Sequence, residues 1–147
     1  MTRAKILLVD GHSYIFHSPA LARRYLRNGP DVREELITRL TALQDATEWH
    51  VVVVFDGTGR KPSDASEPSG IHVFYSAAGQ TADALIERLV AKYAPKYDVA
   101  VATNDHLERT TAQSFGATTM SIEHLIAEMD LATRSLQTRL ANLARKK

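Results

Sequence analysis

The sequence predicts an α/β fold, a three-layer α/β/α sandwich around a mostly parallel sheet. Three observations predict it. Short apolar runs at 5–10, 50–55, 71–75 and 99–103 alternate with segments whose apolar residues recur at helical spacing. The runs are continuous rather than alternating, the pattern of strands covered on both faces. Asp10 and Asp56 close two of the runs, and Asp105 follows a third by two residues.

The elements follow in order. Residues 5–10 form a first strand, and Gly11 then makes a tight turn. Residues 19–27 form a short helix ended by Asn28, Gly29 and Pro30. Asp31 caps a longer helix that buries Val32, Leu36, Leu40 and Leu43, with Ile37 beside them. Residues 50–55, rich in valine, form a central strand. Residues 57–70 combine Gly, Pro, Ser and charge, which reads as an exposed loop. A third strand spans 71–75, and residues 77–80 turn the chain. Thr81 caps a helix that buries Leu85, Ile86, Leu89 and Val90 and ends near Pro95. A fourth strand spans 99–103. A helix over 105–115 is closed by Gly116, and residues 118–120 form a short edge strand. Ser121 caps a final helix reaching the basic end of the chain, where Arg139, Arg145, Lys146 and Lys147 suit the negative pole of its dipole.

Size and composition bound the function. A chain of 147 residues with 44% hydrophobic residues suits one domain, spanning 1–147 with the last helix over about 121–147. A net charge of +1 is no signature of a strong nucleic-acid binder, though local basic patches remain open. The absence of cysteine removes disulfides, thiol nucleophiles and cysteine zinc sites. The first apolar run is too short for a signal segment or a membrane span, so the expectation is a soluble, cytoplasmic protein.

Open α/β sheets bind ligands at the carboxyl ends of their strands. Asp10, Asp56 and Asp105 fall at such ends, and Asp83 opens a helix from the same edge. Each has an ordinary reading as a cap or turn residue. Their recurrence at one edge is better explained by one shared site. Gathered carboxylates repel unless a cation holds them, and hard, oxygen-seeking Mg²⁺ or Mn²⁺ is the natural candidate. Glu87, four residues after Asp83, shares its helix face and can support the site or pair with Arg88 or Lys92. His12 can shuttle a proton or touch phosphate, or be a plain loop residue.

Val9-Asp10-Gly11-His12-Ser13, Val54-Phe55-Asp56-Gly57, the segment from Thr81 through Asp83 to Glu87, and Ala102-Thr103-Asn104-Asp105 together resemble the NYN-domain ribonucleases of the wider PIN-like nuclease group, in particular their YacP-like branch. Their order and strand context agree over residues 5–128. The resemblance implies a PIN-like, Rossmann-like topology and a metal-dependent endoribonuclease. It carries the catalytic and metal-ligand roles onto Asp10, Asp56, Asp83 and Asp105. The family often has Asp-Gly-Tyr-Asn at the first motif where this chain has Asp10-Gly11-His12-Ser13. That version is also similar to the first motif of flap-type 5′ nucleases, which leaves DNA cleavage open.

For RNA, single-stranded or ribosome-associated, the expected contacts are Ser13, Asn104 and Thr103 as donors to substrate or to ligand carboxylates. Arg23, Arg24, Arg27, Arg60 and Lys61 are expected at the phosphate backbone. Tyr14, Phe16 and Tyr75 can stack on bases, although a core role is preferred for Phe16. Two other classes compete. One is a non-catalytic RNA- or ribosome-binding module that keeps the acidic cleft. The other is a phosphatase-like or nucleotide-binding protein, for which the chain lacks a phosphate loop and a nucleophilic Asp-x-Asp.

Overall fold

The computed structural model describes residues 3–57, 63–64, 70–77 and 80–145. Arg60, Lys61, Lys146, Lys147 and most of the 57–70 loop lie outside the described residues.

Strand β1 (Lys5–Asp10) sits mid-sheet, paired in parallel with β2 (Trp49–Phe55) on one side and β5 (Asp98–Ala102) on the other. Beyond β2 lies β4 (His72–Tyr75), and beyond β5 lies β6 (Thr118–Met120), both parallel. One departure from the expected loop is β3 (Ser63–Asp64), two residues that pair antiparallel on the outer edge of β4. The order is β3-β4-β2-β1-β5-β6.

The helices divide over the two faces because side chains alternate along each strand. Leu7, Val9, Val51, Val53 and Ala102 point to one face. There they pack on Tyr14 and Ile15 of α1 (Gly11–Ile15), Leu21 of α2 (Pro19–Arg27), α3 (Gly29–Ala46) and α6 (Ile122–Arg145). Leu8, Val52, Val54, Val99 and Val101 point to the other, against α4 (Ala82–Tyr93) and Ala112 of α5 (His106–Ser114). This is the expected sandwich. The predicted core of α3 (Val32, Leu36, Leu40, Leu43) and that of α4 are buried throughout.

Three local expectations are corrected. Gly11 does not make a turn; it opens α1 directly, because the Asp10 carboxylate caps the helix by accepting the Ser13 N–H. A Cβ on Gly11 would stand 2.5 Å from Phe55 Cδ1, so the close approach of α1 to β2 requires glycine. Asp31 does not cap α3. Asn28 does, accepting the Asp31 N–H at 3.2 Å, and it also closes α2, so one residue joins the two helices. Pro30 is tolerated in the first turn, where its missing N–H would have no partner. Phe16 is not core: it follows the last residue of α1 and is 48% exposed.

Other caps fall as expected. Thr81 Oγ1 accepts from Ala84 and Ser121 Oγ from His124. Gly116 ends α5 at φ +96°, a conformation open chiefly to glycine. From Arg134 to Arg145 every position of α6 is exposed, Leu136, Leu140 and Leu143 included. Among the described residues no helix is long and apolar enough to cross a membrane.

Candidate metal centre

The chain leaves β1 over one face of the sheet, through α1 to α3, and leaves its neighbour β5 over the opposite face, through α5. Connections that part in this way open a crevice at the carboxyl ends of the two strands. Asp10 ends β1 there, and Thr103 follows β5.

Asp10 is 1% exposed, and a buried carboxylate needs donors. Its Oδ2 accepts from Ser13 Oγ at 3.0 Å and from Thr103 Oγ1 at 3.0 Å, and its Oδ1 from the Ser13 N–H at 3.2 Å. Each hydroxyl has one proton to give, so with both given to Asp10 neither is donated across the 3.1 Å between Ser13 Oγ and Thr103 Oγ1, and each oxygen is left able to accept. Ser13 Oγ accepts the Asn104 N–H and Thr103 Oγ1 the Asp105 N–H. Two backbone amides thus orient two hydroxyls toward one carboxylate. Ser13 is a full member of this network. Among the described residues, Ser13 and Thr103 leave one acceptor site of Asp10, on Oδ1, for a further partner.

Two further acids converge on Asp10 from the α4–α5 side. Asp83 lies in the first turn of α4 and Glu108 in the first turn of α5. One oxygen from each of Asp10, Asp83 and Glu108 falls within 4.8 Å of the other two. Glu108 is 3% exposed, and neither of its carboxylate oxygens receives a hydrogen bond from the described residues. Burial pushes its carboxyl up to about 11, and the facing carboxylates of Asp83 and Asp10 add to the rise. Without a cation it is therefore the neutral acid at pH 7. A buried acid whose facing polar partners are two other acids fits a divalent cation, and the all-oxygen donor set fits a hard one.

The four expected aspartates therefore divide. Asp10 and Asp83 meet, and Glu108 joins them. Asp56 and Asp105 lie outside the three-carboxylate cluster. Asp56 Oδ1 accepts the Ala82 N–H at 2.8 Å, tying the end of β2 to the start of α4, and its Oδ2 lies 3.1 Å from His12 Nδ1. Asp105 Oδ1 caps α5 through the amides of Leu107 and Glu108, while the residue lines the same cleft as Asp10 and Asp83. By holding the Glu108 amide it also holds Glu108 in place. Glu87 is exposed, one turn beyond Asp83, and is not among the clustered acids.

The expected substrate contacts divide as well. His12 and Ser13 line the cleft. Asn104 lines it too, but its side chain is engaged at the start of α6: its Oδ1 accepts the Ile122 N–H at 2.8 Å and its Nδ2 donates to Glu123. Arg24 is tied to Glu35 at 2.8 Å and to Asp31 at 3.3 Å, and the hydrogen bond and charge of Glu35 raise its pKa further. Arg23 and Arg27 are exposed on α2. Tyr14 is buried, Tyr75 stacks on Phe55, and Phe16 is the exposed aromatic beside the cleft.

Glu108 escaped the sequence reading, although a signal existed. It lies four residues before Ala112 on the inward face of α5, and a carboxylate on a buried helix face is costly without a partner. At three residues after a capping Asp it also mimics an ordinary capping box, which hid it.

A family model, the YacP-like NYN domain, matches residues 7–147. YacP of Bacillus subtilis (strain 168) is 28% identical over 144 residues, spanning 97% of this chain and 85% of that protein. Two crystal structures of Rae1 (YacP) from Bacillus subtilis, one of them of a mutant, share the fold. Both are 28% identical; the mutant's TM-score is 0.79 over 97% of this chain and 84% of that one, and the other's is 0.78 over 96% and 82%.

Proposed function

The chain belongs to the YacP-like NYN domain family, and from that premise we propose that it is a metal-dependent endoribonuclease, acting as one domain on single-stranded or ribosome-associated RNA in the cytoplasm. The observation that carries this reading is the convergence of Asp10, Asp83 and the buried Glu108, which receives no hydrogen bond from a donor among the described residues, within 4.8 Å. Those three side chains would hold Mg²⁺ or Mn²⁺. When bound, such a cation supplies an activated water and offsets the charge of the phosphate under attack.

The remaining residues position. Ser13 and Thr103 fix the Asp10 carboxylate, so that it need not reorganise when substrate arrives. Asp105 holds the first turn of α5 and with it Glu108. Asp56 anchors the start of α4, one residue before Asp83, and orients His12 at the mouth of the cleft. His12 there is the group suited to pass a proton to the departing oxygen. The exposed Arg23, together with Arg60, is the basic group proposed to meet the phosphate backbone.

The test is cleavage of end-labelled single-stranded RNA and of matched DNA with Mg²⁺, Mn²⁺ or EDTA, by the wild type, Asp10→Asn and Glu108→Gln. The expected result is metal-dependent RNA cleavage that falls at least about 100-fold in either variant. RNA binding with no cleavage and no response to metal would replace the nuclease with a binding module. Preferential cutting of DNA would move the reading to a flap-like nuclease.

A further inference from the structure

Beside the acidic cleft lies a second hollow of about 220 Å³, lined by His12, Ile15, Phe16, Tyr25, Phe55 and Asp56. The two share a wall, because His12 and Phe16 line both. The hollow therefore adjoins the place where a phosphate over the carboxylates would lie. Sites that enclose a whole drug-sized ligand run to roughly 300–1,000 Å³, so this one suits a single planar group.

Its chemistry is that of a base-stacking platform. Phe16 is 48% exposed, and its ring lies 4.6 Å from the His12 ring and meets Tyr25 edge-on at 6.3 Å. An aromatic left half in water next to a cleft gains from a flat partner, and bases stack on such rings whatever their sequence. At the rim stands Asp56, its carboxylate partly exposed and 3.1 Å from His12. An ionised carboxylate only accepts hydrogen bonds. It welcomes the exocyclic amino group of adenine, cytosine or guanine and opposes the two carbonyls that flank the single N–H of uracil.

We propose that this hollow is a nucleobase subsite in which Phe16 and His12 stack on the base next to the scissile phosphate and Asp56 favours amino-bearing bases over uracil. The assignment rests on the nuclease reading, and it gives Asp56 and the Asp10-Gly11-His12-Ser13 motif a role in selecting substrate.

The test is binding of fluorescein-labelled hexaadenylate in EDTA, where nothing is cleaved, with an abasic or uridine residue placed at each position in turn. In the wild type one position should weaken binding about tenfold when abasic, and measurably when uridine. Phe16→Ala should reduce that abasic penalty to less than about twofold while keeping the Mn²⁺-induced rise in Tm, which reports an intact fold and metal centre. Asp56→Asn should keep the abasic penalty and lose the preference for adenine over uridine. Absence of hexamer binding, no sensitive position in the wild type, or an undiminished penalty in Phe16→Ala overturns the subsite. Cleavage separates the two ideas. Metal-dependent cutting without a sensitive position removes only the subsite, whereas a sensitive position without cutting leaves a base-reading RNA binder and removes the nuclease.

Discussion

At the scale of single residues, Glu108 and Thr103 set the terms of the site. The Glu108 carboxyl stands at about 11 in the folded chain, against 4.5 as its ordinary value. The folded chain holds a proton that the unfolded chain releases above pH 4.5. The stability this group contributes is therefore full below about pH 4.5 and is lost progressively as pH climbs toward 11. The metal-free protein is expected to lose Tm between pH 6 and 9, and Glu108→Gln, neutral at every pH, should flatten that slope; thermal melts across a buffer series in EDTA decide it. Thr103 is wholly buried, giving its proton to Asp10 and accepting from Asp105. Thr103→Val leaves a buried carboxylate and an amide short of partners and should cost about 1–3 kcal/mol by urea unfolding, with Thr103→Ser restoring most of it. Asp10 and Asp83 were legible in the sequence because strand ends and helix starts can be read from patterning. Glu108 was not singled out, since its inward aim depends on how α5 rotates against the sheet.

Among the elements, α1 and α6 carry the sharpest consequences. The start of α1 lies so close to β2 that a Cβ on Gly11 would meet Phe55 Cδ1 at 2.5 Å and the Val54 carbonyl oxygen at 2.8 Å. Gly11→Ala is expected to cost about 1–3 kcal/mol in urea, because the backbone oxygen cannot yield as a side chain can. It should also impair metal binding, since Asp10 caps the same helix. A stop codon after Thr133 removes the part of α6 that is exposed throughout. It should change unfolding free energy by less than about 1 kcal/mol, because an unpacked helix is marginal in water. Most elements were readable from periodicity and caps, as with Val32, Leu36, Leu40 and Leu43 in α3. The junction at Asn28 misled because Gly-Pro usually signals a break, whereas here proline sits in a first turn that tolerates it. The two-residue β3 has no periodicity to read; only its pairing with Phe74 and Tyr75 defines it.

For the whole molecule, the proposed metal site would link cation, proton and fold. A cation that displaces the Glu108 proton binds more tightly as pH rises, and its binding releases that proton. Calorimetric titration with Mn²⁺ in buffers of different ionisation enthalpy should detect the released proton near pH 7, and Asp10→Asn should abolish both the heat and the accompanying gain in Tm. The global architecture was the most legible level, because continuous apolar runs ending in Asp admit few arrangements other than a parallel sheet with helices on both faces. The end of α6 carries a further consequence. Twelve exposed residues, Arg134 to Arg145, form a rod roughly 18 Å long on an otherwise compact body. A single copy of this shape suffers more drag than a sphere of its mass. It should elute early in gel filtration and sediment slowly, whereas equilibrium sedimentation, blind to shape, would return its true mass.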